Sequence, residues 1–293
     1  MTKKAQMQQF AWIFSIIVGA VVLFLAFFFV TQYSKQVERP TKQITIASGI
    51  NILLEPFSAI GSLAEIRAEP IELPAGIYVE FNCNAVKDYS EIKAREKGHR
   101  RFDLTEKVYD KYIFAKTIET KARSKFFAFS LPIKIPFYVA TATVIVADDY
   151  CLASLPNNDY KESLQEVYDS IEDKVDIELD FSCSENLLEG KQYIDGLILA
   201  AVFSEDDVYN CNLERILSRA IRIAGIYKEK AMLMQQKGCS VGNVISALDN
   251  YINAAKNFKA NMNEQNLNSF YSAIEQLKNA NGNLKKECRL FEE

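Results

Sequence analysis

The chain has 293 residues, 49% of them hydrophobic and 25% charged, a balance that fits a folded protein and argues against extended disorder. Thirty-four Lys and Arg against 38 Asp and Glu leave a formal net charge of -4, which gives no electrostatic ground for nucleic acid as a partner. A single histidine, His99, excludes most metal and Ser-His chemistry.

Phe10 to Val30 reads FAWIFSIIVGAVVLFLAFFFV, with no charge and only Ser15 as a polar side chain. At 1.5 Å per residue this run spans roughly 30 Å, the thickness of a bilayer's hydrocarbon core. Trp12 and Tyr33 fall where interfacial aromatics belong. A cleaved signal peptide would have a shorter apolar run and a small-x-small site, and Phe27-Phe28-Phe29-Val30 offers none. The expectation is a retained single-pass anchor in contact with lipid. Lys3 and Lys4 before it nearly balance Lys35, Arg39 and Lys42 after it, so flanking charge does not set the orientation. Lys3-Lys4-Ala5-Gln6-Met7 followed by an apolar helix also resembles the class III signal of archaeal pilin-like proteins, cut after Ala5. Phe10 stands where many pilins carry glutamate.

The rest of the chain reads as α+β. Residues 1–33 form the tail and anchor, 34–76 a juxtamembrane segment, 77–203 a β-rich core and 204–293 a helical bundle. Ile77, Val79, Phe81 and Cys83 alternate with polar residues, as a half-buried strand requires. Strands are expected around 111–118, at 126–131 and at 135–147, where PFYVATATVIVA is rich in β-branched residues. Leu164, Val167, Tyr168 and Ile171 predict a short helix, and the alternation through 175–183 predicts a further strand. A strand or helix start at 196–203 leads into Ser204-Glu205-Asp206-Asp207, which reads as a helix cap and first turn. The helix then carries Leu213, Ile216, Leu217, Ala220, Ile223, Ala224 and Tyr227 on one side, and Gly238 ends it.

All six cysteines follow the apolar run, and no two lie within four residues. An even number without metal-ligand spacing favours disulfides and hence an extracytoplasmic domain. Cys239 precedes a helical stripe through Leu248 and Phe258, and Cys288 follows a second stripe through Phe270 and Leu277. An antiparallel hairpin brings these two cysteines together at its open end. For Cys83, Cys151, Cys183 and Cys211, three connectivities stay open. YVEFNCN and ELDFSCS share one pattern 100 residues apart; if they mark a duplication, Cys83 with Cys151 and Cys183 with Cys211 are the parallel choices.

Four segments carry a family resemblance: KFFAFSLPIKIPFYVATATVIV, VYNCNLERILSRAIRIAGIYKEK, the GCS at Gly238–Ser240 and the closing CRLF at Cys288–Phe291. Together they resemble uncharacterised single-pass, membrane-anchored proteins of small-genome archaea. The resemblance implies an envelope location and adds some weight to the Cys239–Cys288 pairing; it implies no activity.

No catalytic, cofactor-binding or metal-binding residue is expected. His99 sits in Lys97-Gly98-His99-Arg100-Arg101, read as an exposed loop. Ser90 and Lys93 form an SxxK string without the companion motifs of a serine acyl-transfer enzyme. Asp148-Asp149 and Asp206-Asp207 could support a membrane-tethered, carboxylate-dependent hydrolase, although adjacent acids more often mark turns and caps. Two basic features remain. Lys93, Arg95, Lys97, Arg100 and Arg101 cluster locally, and Arg215, Arg219 and Arg222 share one helix face. Each is either a solvated surface or a contact for anionic lipid, an anionic glycan or an acidic surface protein. The leading expectation is a non-enzymatic envelope protein that acts by binding or assembly, with a pilin-like appendage component as the rival.

Overall fold

The computed structural model describes residues 18–30, 68–73, 75–98, 104–120, 124–152, 158–182 and 192–292. The chain divides into two compact units, Met1–Ile46 and Ala47–Glu293. In the first, residues 18–30 are helical and exposed throughout. Among the described residues no helix is long and apolar enough to cross a membrane. The remainder of the apolar run, the expected cut after Ala5 and Pro40 lie outside the described residues.

The second unit is α+β, with its helices gathered towards the C-terminus. Its strands are β1 (Ala68–Leu73), β2 (Ile77–Asn84), β3 (Tyr89–Glu96), β4 (Leu104–Tyr109), β5 (Tyr112–Phe114), β6 (Ile118–Glu119), β7 (Ser124–Lys134), β8 (Tyr138–Val146), β9 (Tyr150–Cys151) and β10 (Leu179–Asp180). Its α-helices are α1 (Asn158–Asp169), α2 (Ile198–Val202), α3 (Asp206–Gln236), α4 (Gly242–Ala260) and α5 (Glu264–Gly282). One sheet runs β1-β7-β8-β5, with β5 parallel to β8 and the other pairs antiparallel. The second runs β4-β3-β2-β6 and is wholly antiparallel.

The two sheets differ because their sequences differ. Along β8 the residues from Thr143 to Val146 are all buried, and β7 is buried from Phe126 to Leu131, so both faces of these strands are covered. Along β2 burial alternates, with Ile77, Val79 and Phe81 inward. The strand expected at 126–131 extends over 124–134, and the one at 135–147 begins at Tyr138.

Other expectations are corrected. Among the described residues of the strand read at 175–183, only Leu179–Asp180 pairs, in parallel with Tyr150–Cys151. Its alternation persists in the burial of Ile177 and Leu179. Upstream, however, Asp176 is held by Lys125: its N–H donates to the Lys125 carbonyl, and its carboxylate accepts from the Lys125 N–H. YVEFNCN is therefore strand throughout, whereas among the described residues of its counterpart only Leu179–Asp180 is strand, so the shared pattern does not correspond to a shared element. Ala68–Leu73, inside the segment read as juxtamembrane, is β1, and 89–96 and 104–109, where no strand was expected, are β3 and β4. Charge at every outward position masked the alternation of Ser90, Ile92 and Ala94, which are buried.

The helical end follows the sequence closely. Gly238, at φ +92°, ends α3 in a Schellman arrangement. Its N–H donates to the Gln235 carbonyl, and the Cys239 N–H to that of Met234. Glu205 occupies the N-cap of α3 without a side-chain cap bond, while Ser204 donates back to the Ala200 carbonyl. Asp206 and Asp207 do fall in the first turn, where the helix dipole favours them. Tyr251, Phe258 and Phe270 stack in the hairpin formed by α4 and α5. At the hairpin tip the Asn263 side chain accepts from the Asn266 N–H and caps α5.

Cys239 and Cys288 are bridged across the open end of the hairpin, as expected. Cys83 is bridged to Cys211, which overturns both the Cys83–Cys151 and Cys183–Cys211 choices. The cause is that α3 crosses β2, bringing its first turns over the strand's far end. Cys151 is also disulfide-bonded, and Cys183 lies outside the described residues. In the chain-entropy account, removing Cys239–Cys288 by paired serine substitution costs about 4 kcal/mol and removing Cys83–Cys211 about 5 kcal/mol. Urea unfolding of the two double variants, each against the unaltered chain, measures both losses and should rank them in that order.

Candidate functional site

The most polar interior of the domain lies where α3 meets the edge of β5. As the last strand of its sheet, β5 leaves alternate backbone groups without a strand partner. Three carbonyls in and beside β5 are satisfied instead from α3 and its N-cap. Ala115 accepts from the Glu205 N–H, Ile113 from the Asn212 amide at 2.7 Å, and Lys111 from Arg215 Nη1 at 3.0 Å. Lys111 also accepts from the Ser90 hydroxyl, which in turn accepts from Arg215 Nη1 at 2.8 Å.

Arg215 is buried. Its Nε donates to Asp88 Oδ1 at 2.9 Å, and Nη1 donates also to Asn212 Oδ1. The guanidinium lies over the Tyr112 ring, 4.7 Å from its centroid. Nη2 has no acceptor among the described residues, so the ring face is its compensation. A buried guanidinium requires such partners, because its charge has been taken out of water.

The carboxylates that meet the helix come from two turns in which the chain takes a left-handed conformation. Asp88 (φ 54°) ends the β2–β3 turn, and Asp110 (φ 57°) sits between β4 and β5. Aspartate tolerates that region better than most side chains. Asp88 is shared between Arg215 and Arg222, the latter at 3.4 Å, and Asp110 lies 3.9 Å from Arg219. Burial alone would raise the Asp88 carboxyl, but the hydrogen bonds and charges of Arg215 and Arg222 outweigh it and hold the group below its ordinary 3.8. Burial raises the Tyr112 hydroxyl.

Beside this network a groove of about 840 Å³ opens between α3, α4 and the β2–β3 turn. Val86, Ser218, Arg222, Lys256 and Lys259 are among its walls. Lys259 is paired with Glu214 at 3.4 Å. Arg222 is 64% exposed at its side chain, and Lys256 is exposed.

The basic features expected from sequence are thus redistributed. Arg215 leaves the surface set, because it is an interior residue. Arg219 and Arg222 remain at the surface, each facing a turn aspartate. Lys93 and Arg95 lie on the outward face of β3, not in a loop. There Lys93 is 3.0 Å from Glu91 and 4.0 Å from Glu80, and Arg95 lies over the Tyr78 ring. Lys97 pairs with Glu119 at 2.7 Å. These contacts balance what reads as a basic cluster in one dimension. His99, Arg100 and Arg101 lie outside the described residues.

The SxxK string is separated by strand geometry. Residues three apart on β3 face opposite sides, so Ser90 is inside and Lys93 outside. Of the paired acids, Asp149 accepts the Glu178 N–H, while Asp206 and Asp207 begin α3. None of them lines the groove, whose two carboxylates, Asp88 and Glu214, are both paired with cations. Among the described residues no cluster of His, Cys, Asp or Glu could hold a metal ion.

What sequence reasoning missed is Asp88, Asn212 and Ser90 as partners of Arg215. The one available signal was an arginine amid the apolar stripe Leu213, Ile216 and Leu217. No family model, curated protein or solved structure matches the chain.

Arg215→Ala should cost about 3 kcal/mol, near the low end for breaking a buried pair because the Asp88 side chain is 42% exposed. Arg222→Ala should cost well under 1 kcal/mol. Denaturant unfolding separates the two. A lowered carboxyl stabilises fully above its unfolded value, and that contribution is lost as pH falls through the folded one. The stability gap between the chain and Asp88→Asn should therefore be full above pH 3.8 and close below it.

Proposed function

We propose that this chain is a non-enzymatic, single-pass envelope protein whose disulfide-stapled domain lies outside the cytoplasm and acts by binding or assembly. The observation that carries the reading is covalent. Cys83–Cys211 and Cys239–Cys288 are bridged and Cys151 is bridged as well, the state of thiols in an oxidising compartment. The uncharged run from Phe10 to Val30 supports the anchor, being long enough to span a bilayer. The placement of polar groups supports binding over catalysis: the interior ones serve structural bonds, and two exposed cations, Lys256 and the Asp88-paired Arg222, line a solvent-facing groove. An anionic ligand or surface is the matching chemistry.

Labelling intact cells with a membrane-impermeant maleimide, with and without prior reduction, tests location and bridging together. Mass shifts that appear only after reduction are expected. Labelling that requires permeabilisation and no reductant would place free thiols in the cytoplasm and end this reading.

A further inference from the structure

Helix α3 changes surroundings along its length. Up to Arg222, whose guanidinium still reaches Asp88, it lies against the sheets and the β2–β3 turn; beyond that, one face is bare. Arg222, Ile226, Glu229 and Leu233 are exposed, and their spacing of four, three and four keeps them within about 60° of arc. Ala220, Ala224 and Ala231, which are buried, lie on the opposite side. Ile226 is 64% exposed, Leu233 60%, and Val86, at the tip of the β2–β3 turn beside Arg222, 95%. Gly225 adjoins the stripe with open space where a side chain would stand. Mid-helix glycine is unfavourable, and close approach of another backbone is one condition that suits it.

We propose that this stripe is a self-association surface, on which α3 of two copies packs antiparallel about a two-fold axis between residues 225 and 226. The pattern is self-complementary in that register. Ile226 of one copy lies over Gly225 of the other, twice by symmetry. Arg222 of each copy faces Glu229 of the other, again twice. Glu229 makes no ion pair within its own chain among the described residues, while Arg222 has only the 3.4 Å contact to Asp88. Leu233 then reaches the level of Ser218 in the second copy, where Ala85, Val86 and Ile221 wall the groove. An isologous interface requires this reciprocity, in which residue i meets j and j meets i. The opposite charges at 222 and 229 select the antiparallel register over a parallel one, which would set like charges side by side. This inference does not depend on the membrane reading.

The test is the mass of the full chain in a neutral detergent, by sedimentation equilibrium across tens of micromolar. A dimer is expected. Arg222→Glu and Glu229→Arg should each weaken it about tenfold, and the two combined should restore it. Ile226→Asp should leave a monomer with unchanged helical circular dichroism. As a second measurement, Ile226→Cys should be linked across the axis by a short bismaleimide. A monomer throughout, or a dimer indifferent to the charge exchanges, would overturn the proposal. So would a monomer whose label at position 226 is shielded only on adding phosphatidylglycerol vesicles, which would give the stripe to a bilayer surface.

Discussion

The free edge of β5 is the constraint around which the domain is organised. A three-residue strand on the border of a sheet cannot satisfy its outer backbone groups alone, and burying it without partners would cost more than its side chains return. Helix α3 meets that demand through one main-chain and two side-chain donors spread over its first three turns. Arg215 satisfies one of the three carbonyls, and its own charge then demands a carboxylate. The β2–β3 turn supplies it, which ties the second sheet to the first through the helix. Removing Arg215 leaves the Asp88 charge unmatched, and removing Asn212 leaves the Ile113 carbonyl unmatched, so the two are coupled through one network.

The disulfides act on the same helix. Cys211, in its first half, is joined to β2, and Cys239, just past its end, to the C-terminal tail. Between these points α3 runs from sheet contact to hairpin contact, and aromatic residues fill the transition. Phe137, Tyr227, Tyr251 and Phe291 form a cluster with ring centroids 5.0 to 5.7 Å apart. The Tyr251 hydroxyl donates to the Ile135 carbonyl at 2.6 Å, so the interior of the hairpin is pinned to the turn between β7 and β8.

Features set by neighbours in sequence were legible. Gly238 marks a helix end because only its backbone freedom is needed, and the Cys239–Cys288 bridge follows from two stripes of equal length and a short turn. The unbroken apolar run of β8 announces burial on both faces. Features set by remote partners were not. Arg215 and Asp88 are 127 residues apart, and Cys83 and Cys211 128, so neither pairing leaves a local trace. The basic character of Lys97 disappears once β6 brings Glu119 across the sheet, and Glu80 of β2 adds to the local Glu91 beside Lys93. In both cases strand order decides, and no periodicity encodes strand order.

The Cys239–Cys288 bridge makes α4, α5 and the tip between them a closed covalent ring. The tip at Asn261–Asn263 is a short non-helical link between long helices, with Asn261 exposed, and such links are where proteases nick. Scission there breaks a peptide bond without releasing a fragment, because both halves stay joined at the far end and remain packed along their apolar stripes. A nicked molecule would keep its shape and its exposed α3 surface. Damage at the hairpin tip is thus decoupled from loss of the domain.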